Sequence, residues 1–599
     1  MALGVDIGGT FTDFVLVADG VLSVHKVPAT PSDHAEAFLQ GMADLGPGAL
    51  QGPLVHGTTV ATNTLLERKG ARTALVTTKG FRDVLEIGRQ ARPSLYALEP
   101  TKPAALVPAA LRFEVDERID HQGNVLRPLD PGSLGPLVEA LKAAGAETVA
   151  VCLLFSFLTP DHERAVAAAL QEAGLPVSAS YLVLPEFREY ERSSTTVVNA
   201  YVSPVMERYL THLEQRLPAE TGPLRIMQSN GGTITAAAAK AAAARTVLSG
   251  PAAGVVGAAY TAGLSGFRDL ITFDMGGTST DVSLVPGRLR ETNESVIAGA
   301  PVRLPMLDIH TVGAGGGSIA WIDGGGALRV GPESAGADPG PACYGTGDHI
   351  TVTDAHLLLG RLHPDQFLGG RMPLDPARPT HLMEALGRRI GLDIMRTAQG
   401  VVRVANANME KALRVISVER GSDPRRYTLV AFGGAGPLHA CDLAEALGIP
   451  RVLVPPHPGV LSALGMLAAD VMKDYSRTVM WPLPEPMGET FSRQLAAGFR
   501  DLAARGWQEM TDEGVSRQRV QVLPALDMRY SGQSFELVVP FDDLSTSDLL
   551  GRFHAAHKER FGYSMPGEPV EIVNLRMKLL GAVQRPPLQR EPVGGSDPA

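Results

Sequence analysis

The sequence predicts an α/β protein made of two similar halves around a cleft, with a smaller β-rich region near its C-terminal end. Three observations lead to this fold class. A glycine-containing loop occurs twice, once in each half, at a domain-sized spacing. Apolar strand-like runs alternate with helical segments through most of the chain, which is typical of α/β proteins with mostly parallel strands. The last part of the chain contains three further strand-like runs.

The repeated loop is the clearest of these observations. Residues 6–13 read DIGGTFTD and residues 274–281 read DMGGTSTD, so position 274 follows position 6 at an offset of 268 residues. Each copy lies between two short apolar runs, which predicts a strand, a tight turn and a second strand. One such loop is often an ordinary hairpin turn, but two near-identical copies favour a shared ligand site.

The residue types in the loop suit a nucleotide phosphate and its metal ion. Paired glycines allow positive φ and close backbone approach, and free N–H groups and threonine hydroxyls can surround phosphate oxygens. The predicted phosphate ligands are Gly8, Gly9, Thr10, Thr12, Gly276, Gly277, Thr278 and Thr280. Asp6 and Asp274 are predicted to hold Mg²⁺ and to be catalytic. Asp13 and Asp281 either act with them by orienting water or metal, or cap their turns.

Apolar runs, helical periodicity and turn residues predict the other elements in chain order. The first half contains a hairpin at 3–17, strand 21–26, helix 32–45, strands 54–56 and 72–77, helix 131–144, strand 148–154, helix 160–173 and a long helix at 188–217 broken near Ser203-Pro204. The rest contains strand 224–228, helices 236–244 and 249–262, a hairpin at 270–285, helix 401–419, strands 429–432 and 452–454, helices 460–469 and 489–512, and strands 520–530, 535–539 and 570–580. We predict domains at 1–180, 181–475 and 476–585, followed by a tail at 586–599 that is expected to be disordered.

Three further stretches contain polar or glycine-rich turns. Residues 56–67 place hydroxyl groups where a strand opens into a helix, which suits a polar substrate but also an ordinary threonine-rich helix cap. Residues 311–318 form a glycine-rich turn, and residues 433–440 form a glycine turn that opens a helix. The candidates for the substrate side are His56, Thr58, Thr59, Asn63, Asp308 and His310. A lone histidine such as His439 is interpreted as structural.

Composition argues against several function classes. The net charge is −10 and the pI about 5.9, so no global basic field would attract nucleic acid. No apolar run approaches the ~18 residues that a membrane helix needs, and the N-terminus enters a strand without a signal-peptide pattern. Three scattered cysteines show no metal-ligand spacing and suit a reducing compartment, so we expect a cytoplasmic protein.

The chain has no Walker A motif at these turns and no Rossmann G-x-G-x-x-G after its first strand. Instead, the two hairpin loops and the turn at 433–436, in this order, resemble the phosphate-1, phosphate-2 and adenosine loops of the actin, sugar kinase and Hsp70 superfamily. The resemblance implies duplicated actin-like, ribonuclease H-like ATPase lobes with ATP and Mg²⁺ in the cleft. It places Gly433, Gly434 and Gly436 on the adenosine. Catalysis would be mainly positioning and charge neutralisation.

Longer stretches give a more specific resemblance. Residues 5–13, 56–63, 273–281, 313–318, 331–344 and 432–437 together resemble the hydantoinase A / 5-oxoprolinase family. This implies ATP-dependent opening of a cyclic amide, such as a hydantoin or 5-oxoproline, in which this A-type chain phosphorylates the carbonyl oxygen and a B-type subunit completes the reaction. Related members carboxylate acetone or acetophenone, so a carboxylase subunit is one alternative. A non-catalytic ATP-binding module that changes shape is another.

Overall fold

The computed structural model describes residues 1–9, 11–28, 30, 34–46, 52–92, 96–99, 102–218, 221–484, 486–541, 548–585 and 588. Within these residues the strands are β1 (Ala2–Ile7), β2 (Phe11–Ala18), β3 (Val21–Pro28), β4 (Leu54–Thr58), β5 (Thr73–Thr78), β6 (Arg112–Val115), β7 (Arg118–Ile119), β8 (Val125–Arg127), β9 (Thr148–Cys152), β10 (Val177–Ala179), β11 (Leu224–Met227), β12 (Thr233–Thr235), β13 (Asp269–Met275), β14 (Thr280–Pro286), β15 (Glu291–Thr292), β16 (Ser295–Ile297), β17 (Ala300–Val302), β18 (Met306–Leu307), β19 (Ile309–Val312), β20 (Ser318–Ile322), β21 (Leu328–Ser334), β22 (Thr428–Phe432), β23 (Val452–Leu453), β24 (Val471–Pro482), β25 (Val520–Tyr530), β26 (Leu537–Pro540) and β27 (Val570–Gly581). The helices are α1 (His34–Leu45), α2 (Val60–Leu66), α3 (Val84–Ile87), α4 (Leu134–Ala143), α5 (Asp161–Glu172), α6 (Ser180–Val183), α7 (Glu189–Arg216), α8 (Ala236–Ala241), α9 (Ser249–Leu264), α10 (Val352–Leu358), α11 (Ala377–Ile390), α12 (Ile394–Ile416), α13 (Ala440–Leu447), α14 (Leu461–Ala468), α15 (Glu489–Asp512) and α16 (Leu549–Phe561).

The two halves of the chain form sheets with the same strand order and directions. The order is β3-β2-β1-β4-β11 in the first lobe and β19-β14-β13-β22-β23 in the second lobe. In both lobes the first three strands pair antiparallel, and the last three run parallel to one another. The predicted α/β class with duplicated lobes is therefore confirmed, and the repeated loop joins the equivalent pair of strands in each lobe.

A second sheet is inserted into the first lobe, with the all-parallel order β10-β9-β5-β6. The long helix α7 packs against it. The predicted break near Ser203-Pro204 was wrong, because α7 continues through Pro204 over 28 residues. Val202 and Met206 on either side of the proline are fully buried in the core of the first lobe, and this packing holds the helix together where the proline removes a backbone hydrogen bond.

The C-terminal region extends the sheet of the first lobe, which confirms the predicted β-rich part. Strands β24, β27, β25 and β26 follow β12 in one ten-stranded sheet, although β12 and β24 share a single residue pair. Helices α15 and α16 cover these strands with an apolar core of their own. A buried ion pair also joins the region to the first lobe, since Arg576 of β27 lies 3.0 Å from Glu186, and Asp527 of the neighbouring β25 lies 2.6 Å from the same arginine.

Two glycine-containing helices, α9 and α14, pack against each other along their backbones. A Cβ atom on Gly465 would lie 1.9 Å from the carbonyl oxygen of Ala253, and one on Gly257 would lie 2.5 Å from a carbonyl oxygen of the first turn of α14. Helix α14 is equally close to β1, because a Cβ atom on Gly4 would lie 2.1 Å from the oxygen of Ala463. Since β1 leads into the first loop, this contact fixes that loop relative to α9 and α14.

The substitution Gly465→Ala tests the helix contact. We expect the added methyl group to force α9 and α14 apart and to lower the free energy of unfolding by about 3 kcal/mol, the upper part of the usual cost of overpacking. Gly263→Ala in α9 is the matched control, because nothing lies within 4 Å of a Cβ atom there and alanine favours a helix. Equal urea midpoints for the wild type and Gly465→Ala would contradict the contact.

Two other expectations concern the tail and membranes. The predicted disordered tail at 586–599 lies outside the described residues, apart from Leu588, which packs on the apolar core around α9. In the part of the chain that the structure describes, no helix is both long enough and apolar enough to span a bilayer. The predicted domain boundaries stay predictions.

Candidate functional site

The two hairpins contribute one pair of aspartates each. In the β1–β2 hairpin Asp6 lies opposite Asp13, and in the β13–β14 hairpin Asp274 lies opposite Asp281. Residues directly opposite each other in antiparallel strands project from the same face. The repeat therefore places two carboxylate pairs in equivalent positions, one in each lobe.

The loop tips present backbone with few side chains. Each turn closes with one hydrogen bond, from the N–H of Gly8 to the oxygen of Phe11 at 2.9 Å and from the N–H of Gly276 to that of Ser279 at 3.0 Å. The glycines of the two loops do not use the positive φ that their residue type allows, since none of them lies between +20° and +160°. The hairpins turn without left-handed backbone, and the glycines keep the tips bare. The exposed tip residues are Gly9, Gly277 and Thr278, whereas Thr10 lies outside the described residues.

Two of the predicted phosphate ligands have buried hydroxyl groups. Thr280 is fully buried and its hydroxyl donates to the oxygen of Ala314 at 2.5 Å. Thr12, its equivalent in the first lobe, is also fully buried, and its hydroxyl has no hydrogen-bond partner among the described residues. Both hydroxyls therefore face the protein interior, and the exposed loop tips are the part of each loop that can meet a phosphate.

Helix α9 connects the two carboxylate pairs. A Cβ atom on Gly250 would lie 3.6 Å from Oδ1 of Asp6, and one on Gly254 would lie 3.2 Å from Oδ2 of Asp274. Positions four residues apart lie on one helix face, about 6 Å apart along the axis. Asp6 and Asp274 therefore face the same side of α9, one turn apart, and the two glycines leave room for both side chains.

The four carboxylates influence one another electrostatically. Burial, followed by the charge of Asp13, raises the pKa of Asp6 to about 7. Burial raises the pKa of Asp274 well above its usual range, and the charges of Asp281, Asp6 and Asp13 add to the effect. Burial also raises the pKa of Asp281 to about 6 and, despite an opposing ammonium group, raises that of Asp13. Such a cluster favours a bound cation, because a positive charge offsets the cost of ionising several half-buried carboxylates close together.

The donor set fits a hydrated magnesium ion. Oδ1 of Asp6 is buried and has no hydrogen-bond partner among the described residues. No three acidic, histidine or cysteine side chains of the described chain come close enough to chelate a metal by themselves. Mg²⁺ commonly keeps several waters and takes one or two carboxylates together with substrate phosphates, so Asp6 and Asp274 suffice on the protein side.

The two outer aspartates have different partners. In the first lobe, Asp13 forms an ion pair with Lys26, which lies directly opposite it on β3. In the second lobe, Asp281 accepts a hydrogen bond from Thr311, which occupies the equivalent position on β19. The two lobes are therefore alike in backbone but differ in charge, since among the described residues an ammonium group meets Asp13 and none meets Asp281.

The third loop packs beside the second carboxylate pair. Gly433 has a φ of 80°, and a Cβ atom there would lie 2.3 Å from Oδ1 of Asp274, so only glycine fits. The N–H of Ala435 donates to the oxygen of Met275 at 2.9 Å and ties the loop to β13. Gly434 is exposed, with nothing within 4 Å of a Cβ atom, whereas Gly436 is buried. Gly434 is therefore the accessible part of this loop.

The glycine-rich turn at 313–318, which sequence reasoning noted without giving it a role, braces the second loop. The N–H groups of Gly316 and Gly317 donate to the oxygens of Gly276 and Gly277 at 3.0 and 2.7 Å. A Cβ atom on Gly315 would lie 2.5 Å from the backbone of Gly277, which explains the run of glycines. The turn binds carbonyl oxygens of the loop, so it does not take up the N–H groups of Gly277 and Thr278 at the tip.

The six candidates for the substrate side do not come together. His56 is fully buried, with one ring nitrogen 3.1 Å from the oxygen of Val5 and the other 2.7 Å from the hydroxyl of Tyr209, so it belongs to the core. Thr58 is also buried. Thr59 and Asn63 are partly exposed at the start of α2.

The other two candidates lie on the second lobe. Asp308, just before β19, forms an ion pair with Arg420, and His310 is the second residue of β19. Because side chains alternate along a strand, His310 projects from the face opposite to Thr311, which binds Asp281. Asp308 and His310 therefore lie away from the carboxylate cluster.

Sequence reasoning missed Lys26, Gly250 and Gly254. The signal for Lys26 was available, because extending the β1–β2 pairing to the next strand places a charged residue opposite Asp13. The two glycines lie in the predicted helix 249–262, and sequence reasoning assigned them no role at the site. They lie one helical turn apart, and only the folded chain places each of them next to one of the two aspartates, Asp6 and Asp274.

Comparison with known proteins covers nearly the whole chain. A family model described as Hydantoinase/oxoprolinase N-terminal region matches residues 2–174, one described as Hydantoinase/oxoprolinase matches 192–475, and one described as Hydantoinase/oxoprolinase C-terminal domain matches 486–599. Caprolactamase subunit alpha of Pseudomonas jessenii is 36% identical over 98% of this chain and 88% of its own length. 5-Oxoprolinase 1 of Arabidopsis thaliana is 35% identical over 96% of this chain, which spans 50% of that protein.

Solved structures support the same grouping. The crystal structure of the ATP-dependent caprolactamase from Pseudomonas jessenii matches with a TM-score of 0.87 at 35% identity, covering 100% of this chain and 90% of the other. A nucleotide-free structure of acetone carboxylase, from a study of ATP-dependent acetone carboxylation, matches with a TM-score of 0.82 at 29% identity and the same coverage. The relatives thus include both amide hydrolases and a carboxylase.

Proposed function

This chain is a member of the hydantoinase/oxoprolinase family, and we propose that it is the ATP-dependent subunit of an enzyme that opens a cyclic amide such as a hydantoin or 5-oxoproline. One observation carries the proposal. Two equivalent glycine hairpins, in lobes whose core sheets share one strand order, contribute four half-buried carboxylates, and two of these, Asp6 and Asp274, lie beside α9 one helical turn apart. This arrangement suits a polyphosphate with its metal ion, because backbone N–H groups bind the phosphate oxygens and carboxylates bind the cation.

Each part of the site has a separate task in this proposal. Asp6 and Asp274 hold Mg²⁺, whose charge, when it is bound, offsets the negative charge of the transferring phosphoryl group. The exposed tips at Gly9 and Gly277 donate N–H groups to the phosphates. Gly434, on the accessible side of the third loop, lies against the nucleoside. The protein contributes mainly by positioning and by fixed charges, as in other phosphoryl transfers.

The proposed chemistry activates a poor electrophile. The amide oxygen forms a bond to the γ-phosphorus of ATP while the bond from that phosphorus to ADP breaks, and the amide nitrogen loses its proton. Water then adds to the carbon that carries the phosphorylated oxygen, the ring C–N bond breaks, and both protons of that water pass to the nitrogen, which leaves as an amine while the carbon becomes the carbonyl of an acyl phosphate. A second water releases phosphate from the resulting acyl phosphate, which gives the ring-opened amino acid, ADP and phosphate.

A second candidate is a subunit of an ATP-dependent carboxylase of the acetone or acetophenone type. The fold of acetone carboxylase, with its TM-score of 0.82, favours it. Phosphorylation of a carbonyl oxygen is common to both candidates, so the carboxylate cluster does not separate them. Because the caprolactamase relative is named as one subunit of its enzyme, we also propose that a B-type subunit assembles with this chain.

The test is ATP hydrolysis by the purified chain, alone and with a B-type partner. The panel contains hydantoin, 5-oxoproline and ε-caprolactam without bicarbonate, and acetone and acetophenone with it. We expect one cyclic amide to stimulate phosphate release and to be opened in equal amount. Stimulation by a ketone that requires bicarbonate would replace the hydrolase with the carboxylase. ATP binding without stimulation by any compound would favour the third interpretation, a non-catalytic ATP-binding module.

A further inference from the structure

We propose that Lys26 binds a phosphate oxygen of the nucleotide and is the cation of the first phosphate loop. This inference rests on the proposed ATP-dependent function. Lys26 lies on β3 directly opposite Asp13 of β2. This pair is two residue pairs from Phe11 and Pro28, which lie at the end of β2 that joins the first glycine loop. Its ammonium nitrogen forms an ion pair with Asp13 and lies 5.5 Å from the centre of the Phe11 ring. The charge therefore lies at the base of the loop that carries Gly8 and Gly9.

The hydrogen-bonding capacity of Lys26 leaves one donor for a ligand. A lysine ammonium group has three N–H donors and no acceptor. One donates to the carboxylate of Asp13 and a second to the oxygen of Gly459, at 3.1 Å. The third is not taken up by any residue that the structure describes, and the side chain is 20% exposed. An anion approaching the first loop can therefore accept this donor without breaking either existing contact.

The distribution of charge in the site also supports a phosphate next to Lys26. Burial raises the pKa of Asp6 and of Asp13, and Lys26 opposes that rise, whereas no cation of the described chain opposes the rise in the pKa of Asp274. The equivalent position in the second lobe holds the neutral Thr311. A polyphosphate adds several negative charges to four carboxylates, and the first loop is where a protein cation offsets them. The terminal phosphates, which carry the most charge, are therefore expected on the side of Lys26.

A short segment between β23 and α14 connects Lys26 with the third loop. The oxygen of Gly459 accepts from Lys26, and the oxygen of the preceding Pro458 accepts from the N–H of Gly433 at 3.0 Å. These two adjacent carbonyl groups therefore hold the ammonium group and the third loop in a fixed position relative to each other. Lys26 is thereby held at a defined distance from the nucleotide site, as a phosphate ligand has to be.

The test compares binding of MgATP, MgADP and AMP by calorimetry in the wild type, Lys26→Met, Lys26→Arg and the control Lys69→Met. Lys69 is a mostly exposed lysine of the same lobe that pairs only with the neighbouring Glu67 among described residues. We expect Lys26→Met to weaken MgATP binding by roughly ten- to a hundredfold and AMP binding by much less, because a charge-assisted hydrogen bond to an outer phosphate is lost. Lys26→Arg is expected to restore most of the affinity, and Lys69→Met to leave it unchanged.

Each outcome of this experiment decides the proposal. Unchanged MgATP affinity in Lys26→Met, or equal weakening for ATP and AMP, would overturn it and leave the proposed function intact. Failure of the wild type to bind ATP would overturn both. If Lys26→Met does not fold, Lys26→Gln replaces it. A Lys26→Arg protein that folds like the wild type but binds MgATP as weakly as Lys26→Gln would also count against a phosphate contact.

Discussion

Replacing Asp274 with asparagine is expected to lower ATP turnover by about a thousandfold while raising the thermal unfolding midpoint. Asparagine keeps the shape of the side chain but removes the charge that would hold Mg²⁺, and the loss of several kcal/mol of metal stabilisation corresponds to this factor. Stability changes in the other direction. Burial and three neighbouring carboxylates raise the pKa of Asp274, so the folded protein is destabilised by this group at neutral pH relative to the unfolded chain. A neutral amide removes that cost.

The measurement pairs initial rates of phosphate release with differential scanning calorimetry. Asp269→Asn is the matched control, because Asp269 begins the same strand and is exposed, so neither turnover nor the midpoint should change. More than a tenth of wild-type turnover in Asp274→Asn would contradict the role of this carboxylate at the metal. Loss of turnover together with a lower midpoint would indicate a role in folding instead.

The duplication was accessible from sequence because its cause is local. The pattern DxGGTxTD encodes a strand, a bare turn and a second strand within a few residues, and a hairpin fixes its own register. Once the first and second strands are paired, Asp6 lies opposite Asp13 without any knowledge of the remaining chain. The same argument, repeated at the second copy, gives both carboxylate pairs and the two-lobed architecture.

The contacts that complete the site were not accessible because they join distant parts of the chain. Gly250 and Gly254 read as small helix residues until α9 is placed beside both aspartates. His56 looked like a substrate ligand after a strand, but Tyr209, more than a hundred residues away, takes one of its ring nitrogens. The break expected at Pro204 failed for the same reason, since burial in the tertiary core outweighed the local preference of proline.

A buried pair of imidazoles is expected to make folding sensitive to mild acid. His356 of α10 and His439, just before α13, are fully buried, and their Nε2 atoms lie 3.0 Å apart. Nδ1 of His439 lies 2.6 Å from Oδ1 of Asn406, whose amide nitrogen donates to Asp442. Oδ1 of Asn406 therefore accepts a hydrogen bond from Nδ1–H of His439, and Nε2 of His439 accepts one from Nε2–H of His356. In this arrangement both rings are neutral. Burial, followed by the nearby charge of Arg361, lowers the pKa of His356 to about 4. Burial, followed by the charges of His356 and Arg361, lowers the pKa of His439 to about 3.

The number of protons bound by the folded and unfolded chains decides whether acid lowers or raises the free energy of unfolding. Between pH 6.5 and 4 the unfolded imidazoles bind protons and the folded ones do not, so the free energy of unfolding falls as the pH falls and is fully retained above 6.5. At pH 5, 1.5 units below the unfolded pKa, each histidine is expected to cost about 2 kcal/mol, or about 4 kcal/mol for the pair. Asp6 and Asp281 act in the opposite direction, because carboxyl groups with raised pKa values bind protons in the folded state first.

Because the histidines and the aspartates have opposite effects, the pH dependence of the wild type's stability does not by itself give the contribution of the two histidines. The informative quantity is the change in urea-derived free energy of unfolding between pH 7 and pH 5, compared between the wild type and the double variant His356→Gln/His439→Gln. We expect the double variant to be less stable at pH 7, because two packed rings are lost, yet to lose about 4 kcal/mol less than the wild type on acidification. His121→Gln, which removes an exposed imidazole, should behave like the wild type. Identical pH dependence in all three proteins would show that the buried pair binds protons as readily folded as unfolded, and the neutral hydrogen-bonded arrangement would then be incorrect.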